Sequence, residues 1–277
     1  MTTQPNAAQV QLWNSATGQH WAEQADQLDA MIRPLGERVM DILEVGPGDR
    51  VLDVGCGAGA TTLELARRVG PTGTVLGIDI SEPLLDLARQ RSDESGAFVG
   101  FERVDAQTAV LPEHGYDAIF SRFGVMFFSD PVAAFRNLTR ALADGGRFGF
   151  VAWREPGENP WVTVPARVLR DRLSPRAEPG QPSPFAFSDR NRVQEILDDA
   201  RLARVRIEPL DMTISVGDGT IRGAVETMLA IMDPRIDPDV PGDGEKVRDL
   251  LAEALSDLVV DGGVEVGAAA WLVTAMR

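Results

Sequence analysis

The run VLDVGCGAGA at residues 51–60 constrains the fold of this chain more than any other segment. Its first four residues are apolar apart from Asp53 and predict a buried β-strand. Three glycines follow: Gly55, Gly57 and Gly59. Glycine lets a backbone turn tightly and approach a ligand closely, and a helical pattern begins near Ala60. The run therefore predicts a strand, a glycine-rich turn and a helix whose free N–H groups face a bound molecule.

Two ligand classes fit this turn. Read as G-x-G-x-x-A, with Asp79 further along at the matching spacing, it agrees with a dinucleotide-binding fingerprint. A dinucleotide, however, would bring its pyrophosphate close to Asp53, which would repel it. S-adenosylmethionine (SAM) has no phosphate and carries an ammonium and a sulfonium group. The turn alone leaves both ligands open, and SAM is the better electrostatic match.

Charge and cysteine content limit the partners. The formal net charge is -15 at pH 7, and such a surface repels nucleic acid backbones and anionic lipids. We therefore expect a small-molecule partner, with no nucleic acid and no membrane, and leave a homo-oligomer open. The single cysteine, Cys56, and an N-terminus without a basic or apolar leader pattern predict a cytoplasmic protein.

Strand and helix patterns alternate between residues 48 and 153, which predicts a parallel sheet covered by helices. The predicted strands are residues 51–54, 74–80, 98–104, 116–121 and 147–153. In such a sheet ligands bind outside the carboxyl ends of the strands. The side chains predicted at that edge are Asp53, Asp79, Asp105 and Ser121.

The flanking segments predict a cover for this edge. We divide the chain into a helical lid, a core with one irregular cover segment rich in proline, a helical insertion and the final strand of the core. These parts are residues 1–45, 46–217 with 155–188 as the cover segment, 218–262, and 263–277.

Four ordered segments resemble one family: VLDVGCGAG, GIDIS at 77–81, VDAQ at 104–107 and YDAIFSRFGVMFF at 116–128. With them the chain resembles the class I SAM-dependent methyltransferases, in particular the small-molecule group similar to the ubiquinone/menaquinone biosynthesis methyltransferases. The resemblance implies a Rossmann-like α/β fold with a seven-stranded sheet in the order 3-2-1-4-5-7-6, in which strand 7 is antiparallel.

The resemblance also implies roles for residues at the sheet edge. Asp53 would face the ammonium of SAM directly or through water, Asp79 would accept from both ribose hydroxyls, and Asp105 would accept from the adenine amino group. The implied cofactor-binding residues are Asp53, Gly55, Gly57, Gly59, Asp79, Ile80, Asp105, Ala106, Ser121, Phe123 and, from the lid, Trp21. One such carboxylate is equally well explained as a helix cap, but three at successive strand ends favour the functional interpretation.

The acceptor side is less defined by the sequence. His20 in the lid is the candidate general base, because the unperturbed pKa of histidine suits that role; the alternative is a structural histidine. The predicted substrate-binding residues are Trp13, Arg122, Phe127, Trp153 and Trp161. The aromatic side chains are equally typical of a core, and Arg122 is equally typical of an ion pair with an acidic residue. No metal is expected, since the sequence has no cluster of histidine and cysteine.

These observations predict a SAM-dependent methyltransferase that acts on O, N or C of a small apolar or aromatic metabolite, mainly by in-line positioning. One alternative is a SAM-binding protein without methyl transfer, either a pericyclic catalyst or a regulatory subunit. The other is an NAD(P)-dependent oxidoreductase, supported only by the glycine pattern.

Overall fold

A computed structural model of the chain describes residues 5–174, 180–232, 236 and 244–277. Its centre is a sheet in the order β3-β2-β1-β4-β5-β8-β6, with a short β7 paired to β8. The strands are β1 Arg50–Val54, β2 Thr74–Asp79, β3 Gly100–Arg103, β4 Tyr116–Arg122, β5 Leu142–Trp153, β6 Ala203–Val216, β7 Val259–Val260 and β8 Gly263–Met276.

Strands β1 to β5 run parallel to one another, and β8 is antiparallel to both β5 and β6. This confirms the predicted order, with β8 as the predicted seventh strand. The number differs because residues 259–260 pair with the start of β8 as a small hairpin, which the sequence pattern did not indicate. The parallel register brings the carboxyl ends of β1, β2, β3 and β4 to one edge, where the candidate site lies.

Helices cover the sheet. Their bounds are α1 Ala7–Trp13, α2 Ala16–Glu23, α3 Ala25–Ile42, α4 Ala60–Val69, α5 Glu82–Ser95, α6 Pro131–Ala141, α7 Pro160–Val168, α8 Arg190–Asp199, α9 Ile221–Met232 and α10 Gly244–Leu255. Helices α3 and α4 contact each other and the sheet, as do α6 and α8. None of the described helices combines the length and the apolar character that crossing a bilayer requires.

Helix α6 shows where local signals succeed and where they fail. Its start agrees with the prediction, since the Asp130 carboxylate accepts from the Ala133 N–H at 2.9 Å. The glycines of residues 144–146 predict the end of the helix, but it ends at Ala141. Leu142 already pairs with Tyr116 of β4, so the glycines form an irregular stretch inside β5. Pairing with a neighbouring strand decided this boundary.

The cover segment at residues 155–188 was predicted to be irregular and contains α7. Pro160 lies at the first helical position, where its missing N–H costs nothing. Trp161, Val162 and Val164 then bury an apolar face in the core. Proline content therefore led to the wrong prediction for residues 160–168, because burial of this face outweighs the low helix propensity of proline.

Candidate active site

A cavity of about 1030 Å³ opens at the carboxyl ends of β1 to β5, beneath the lid. Most of the predicted site residues lie on its described wall. They are Trp13, Trp21, Gly55, Gly57, Asp79, Ile80, Asp105, Ala106, Arg122, Phe123, Phe127, Trp153 and Trp161. We call the part around Gly57, Asp79 and Asp105 the carboxylate end. The part around Phe123, Trp153, Trp161 and Phe185 is the aromatic end.

The glycines of the first turn have different roles. At Gly55, with φ of 69°, a Cβ atom would lie 2.7 Å from Cα of Gly124, so the backbones of two loops touch there. Gly57 is also left-handed but faces open space, and its N–H donates to Asp79 at 2.9 Å. Gly59 is not on the described cavity wall, and a Cβ there would lie 2.9 Å from Cβ of Ala88. Its predicted cofactor contact is replaced by close packing of α4 against α5.

The Asp79 carboxylate is fixed at the end of β2. It accepts from the Gly57 N–H at 2.9 Å and from the Ser81 N–H at 2.8 Å. Burial raises the pKa of Asp79, and these backbone hydrogen bonds oppose the rise. Each oxygen of a carboxylate can accept more than one hydrogen bond, so Asp79 keeps capacity for two ligand hydroxyls.

Asp105, after β3, is joined to the lid. Its Oδ1 accepts from the Gln107 N–H at 3.0 Å and from the Asn6 side chain at 3.3 Å. The Asn6 amide oxygen in turn accepts from the Ser129 N–H at 3.3 Å. The sequence analysis missed Asn6, since no local pattern relates it to Asp105 or Ser129, which lie far from it in the chain.

Asp53 does not lie where the sequence predicted. Its side chain is fully buried, and Oδ2 accepts from the hydroxyls of Thr61 and Thr62, both at 2.7 Å. It is not part of the described cavity wall, and its Oδ1 is buried without a hydrogen-bond partner. Burial raises the pKa of Asp53 to about 6. The structure therefore places this carboxyl beneath the first turn of α4 and not against a ligand ammonium.

Another carboxylate, from the lid, borders the cavity where Asp53 does not. Asp29 of α3 lies on the cavity wall and accepts from the guanidinium of Arg122. Arg91 also donates to Asp29 at 2.9 Å, and to the carbonyl of Ala58 at 2.8 Å. The ion-pair alternative for Arg122 is thus the one observed. Asp29 was missed, and the only signal was an acidic residue between the apolar Leu28 and Ile32 of a helix.

Stacked rings form the aromatic end. Phe123 lies on Trp153 with centroids 4.0 Å apart and planes at 10°. Trp161 follows at 4.6 Å from Trp153, and Phe185 at 6.2 Å from Trp161. Phe123 has φ of 60°, a strained conformation for a bulky residue, and its N–H donates to Val151 at 3.2 Å. Phe185 was missed because it follows a proline-rich stretch without helical or strand periodicity.

Side-chain contacts hold the lid against α5 and against the segment after β4. Trp13 packs edge-on against Phe127 at 5.3 Å. Ser81 is the N-cap residue of α5, but its hydroxyl donates to the Trp13 carbonyl at 2.8 Å and does not cap the helix. The Asn14 side chain instead accepts from the Glu82 N–H at 3.0 Å, so the lid caps this helix.

Two further predictions for site residues differ from the structure. The His20 ring lies outside the described cavity wall, and its Nε2 is 2.7 Å from the carbonyl of Ala230 in α9. A carbonyl only accepts, so Nε2 is the protonated nitrogen and is not available as a base there. Ser121 is fully buried, and its hydroxyl donates to the Val54 carbonyl at 2.7 Å. The structure gives both residues contacts within the protein in place of the predicted ligand contacts.

Comparison with known proteins agrees with this geometry. Residues 51–146 match the family described as a methyltransferase domain. Aklanonic acid methyltransferase DauC of Streptomyces sp. (strain C5) is 37% identical over 43% of this chain and 54% of its own length. Ubiquinone/menaquinone biosynthesis C-methyltransferase UbiE of Ectopseudomonas mendocina is 33% identical over 48% and 53%. The chain thus spans about half the length of these relatives.

Solved structures show the same fold. The YcgJ protein of Bacillus subtilis superposes with a TM-score of 0.58 at 20% identity, covering 88% of this chain and 98% of that one. Phosphoethanolamine N-methyltransferase 2 of Haemonchus contortus, solved with SAM, has a TM-score of 0.59 at 17% identity, over 96% and 59%. The fold and the site define a Rossmann-like methyltransferase domain. Residues 51–146 form a methyltransferase domain, of the class that uses SAM. The dinucleotide alternative is therefore dropped.

Proposed function

We propose that this protein transfers the methyl group of SAM to an O, N or C atom of a small aromatic or apolar molecule. The observation that carries the proposal is the continuity of one cavity from the carboxylate end to the aromatic end. Its volume of about 1030 Å³ lies at the upper end of the range for ligand pockets, which leaves room for a cofactor and an acceptor together.

The carboxylate end fits the nucleoside part of SAM. Asp79 offers both carboxylate oxygens to the two ribose hydroxyls, and Asp105 offers an acceptor to the adenine amino group. Ala106 contributes backbone next to the ring. The open space at Gly57 lets the ligand approach the main chain, which a side chain at this position would obstruct.

The pair of Asp29 and Arg122 fits the methionine part. An amino acid head group carries one positive and one negative charge, and this pair presents the complementary charges on one cavity wall. In our proposal Asp29 accepts from the ammonium, and Arg122 donates to the carboxylate. This assignment takes over the role that the sequence analysis gave to Asp53.

When bound, SAM supplies an activated methyl carbon whose leaving group is a neutral thioether. The residues of this chain then hold the acceptor in line and exclude water from the reaction path. Asp79, Asp105 and the pair of Asp29 and Arg122 would hold SAM, which would supply the methyl group, and any proton on the acceptor would leave to solvent after the transfer. No histidine lies on the described cavity wall, and in our proposal the reaction relies mainly on in-line positioning of the acceptor.

Calorimetry and a turnover assay test this proposal. We expect SAM and S-adenosylhomocysteine (SAH) to bind and NAD(P) not to bind. We expect SAH to accumulate with at least one member of a panel of phenols, aromatic acids, anilines and aliphatic controls. Binding of SAM with no SAH from any acceptor would favour the alternative of a SAM-binding protein without methyl transfer. Absence of SAM binding would contradict the proposal.

A further inference from the structure

The cavity contains a second arginine whose environment differs from that of Arg122. Arg192, in the first turn of α8, lies on the described cavity wall next to Gly180 and Phe185. Its Nε atom is buried and has no hydrogen-bond partner. Its Nη2 atom lies 3.5 Å from the Gly180 carbonyl, at the limit of hydrogen bonding. Because Nε is enclosed by protein, Arg192 lines the cavity with its other atoms, and its terminal Nη groups are the donors left for a ligand.

No carboxylate neutralises Arg192 in the described part of the chain. Arg122 is paired with Asp29, whereas no ion pair of Arg192 is found among the described residues. Two acidic residues lie on this side of the cavity, but both side chains are exposed and each already accepts a hydrogen bond within the protein. Glu155 accepts from the Ser188 hydroxyl at 2.8 Å, and Asp189 accepts from the Asn191 N–H at 2.8 Å. Water screens these exposed charges more than the buried N–H of Arg192.

The aromatic end adjoins this arginine. Phe185 and Gly180 belong to the same short segment, and a Cβ atom at Gly180 would lie 3.4 Å from Nη1 of Arg192. The planes of Trp161 and Phe185 meet at only 22°, and those of Phe123 and Trp153 at 10°. The planes of Trp153 and Trp161 meet at 48°, so the four rings form two nearly parallel pairs on the cavity wall, and aromatic walls favour an aromatic ligand.

We propose that the acceptor is a flat aromatic carboxylate whose rings lie against the aromatic end and whose carboxylate binds Arg192. The inference rests on the proposed function, because it assumes that this end of the cavity takes the acceptor. A guanidinium donates two parallel N–H groups to a carboxylate, which gives both strength and orientation. Arg192 thereby becomes a specificity-determining residue of the acceptor site.

The test uses two matched probes, 2-naphthoate and its neutral analogue 2-naphthamide, titrated into the full chain saturated with SAH. We expect 2-naphthoate to bind about tenfold more tightly than 2-naphthamide. A charge-assisted hydrogen bond to a partly exposed arginine contributes about this much to affinity. In the Arg192→Gln variant the two probes should bind equally, and Arg192→Lys should restore part of the preference. The control Arg190→Gln, on the same helix turn and off the cavity wall, should retain the preference.

Several results would overturn the inference. These are equal binding of the probes to the wild type, binding of neither probe, or an unchanged preference in Arg192→Gln. If Arg192→Gln does not fold, the wild type still decides, because the naphthoate preference must shrink as the salt concentration rises. Failure of the proposed function is visible separately, as absence of SAH binding. In that case the same titration without SAH still reports on Arg192.

Discussion

The carboxylate end and the aromatic end of the cavity are formed by different kinds of structural element and held by different interactions. At the carboxylate end, Asp79 and Asp105 follow strands of a parallel sheet and are held by backbone N–H groups within a few residues. At the aromatic end, the rings come from the residue after β4, from β5, from α7 and from the segment before α8, and they pack against one another.

This difference distinguishes the part of the site that any domain with this sheet can form from the part that depends on the side chains of this chain. A site made of strand ends keeps its geometry as long as the sheet forms. A site made of stacked rings from separated segments changes shape when one ring is replaced. We therefore expect cofactor binding to depend on a few carboxylates and glycines, and acceptor choice to depend on the cover.

Deletion of residues 1–24 should have the largest effect, since it removes α1 and α2, whose residues line the cavity. The deletion abolishes the hydrogen bonds of Asn6 to Asp105 and of Asn14 to α5. We expect turnover with the best acceptor of the panel to fall by roughly 10²-fold or more, with weaker SAH binding. The retained α3, with Leu35 and Val39 in the core, should preserve a cooperative unfolding transition. Normal turnover of the deletion variant would show that the lid is dispensable.

Gly55→Ala and Gly57→Ala test why the first turn requires glycine. The requirement comes either from the positive φ alone or also from the lack of space for a Cβ atom. Both residues have positive φ, so each variant should lose about 1–2 kcal/mol in the free energy of unfolding. Gly55→Ala should lose about 1–3 kcal/mol more, because its Cβ would collide with the Gly124 backbone. Denaturant titration measures both values. Equal losses would mean that the contact of Gly55 with Gly124 relaxes freely.

Asp53 should make stability depend on pH. Its pKa is raised from 3.8 to about 6 in the folded protein, so folding favours the protonated carboxyl. The resulting stabilisation is present below about pH 4 and is lost as the pH rises through 6. Relative to Asp53→Asn, the wild type should lose about 2 kcal/mol in unfolding free energy between pH 4 and pH 7. A pH-independent difference between the two proteins would contradict this environment for Asp53.

Asp79→Asn should weaken SAH binding by about 10- to 100-fold, or about 1–3 kcal/mol, since the ribose hydroxyls lose a charged acceptor. The control is Asp86→Asn in α5, a side chain that is 69% exposed and off the cavity wall. Isothermal titration should show unchanged SAH affinity for the control. An Asp79→Asn variant with the affinity of the wild type would remove Asp79 from the cofactor site.

His20→Ala should have the smallest effect, a loss of turnover below about tenfold, because the ring bonds to α9 and not to the cavity. Thr227→Val is the control, because it removes another hydrogen bond between α9 and the lid region. Thr227 of α9 donates to Gln27 at 2.9 Å. Single-turnover rates of the two variants should be similar. A loss of about 10²-fold in His20→Ala alone, with unchanged SAH affinity, would restore His20 as the general base.

The sequence predicted most strand positions because each strand is a short apolar run with a turn on either side, whereas the strand order was implied by the resemblance to a known family. It also predicted Asp79 and Asp105 at the site, since the end of a parallel strand has a fixed place in the sheet. It failed for Asp53, Ser121 and His20, whose hydrogen bonds go to residues that no local pattern connects with them.

By itself, the sequence determined the α/β class, the glycine turn and the carboxylates at the strand ends, because these features depend on short-range periodicity and backbone freedom. Only the tertiary structure decided that Asp29 pairs with Arg122 and that Asn14 caps α5. The partners in these pairs lie far apart in the chain, and their contacts arise only after the lid and the sheet have packed together. Hydrogen bonds and ion pairs of this kind depend on final distances of a few ångströms, which no periodicity in the sequence encodes.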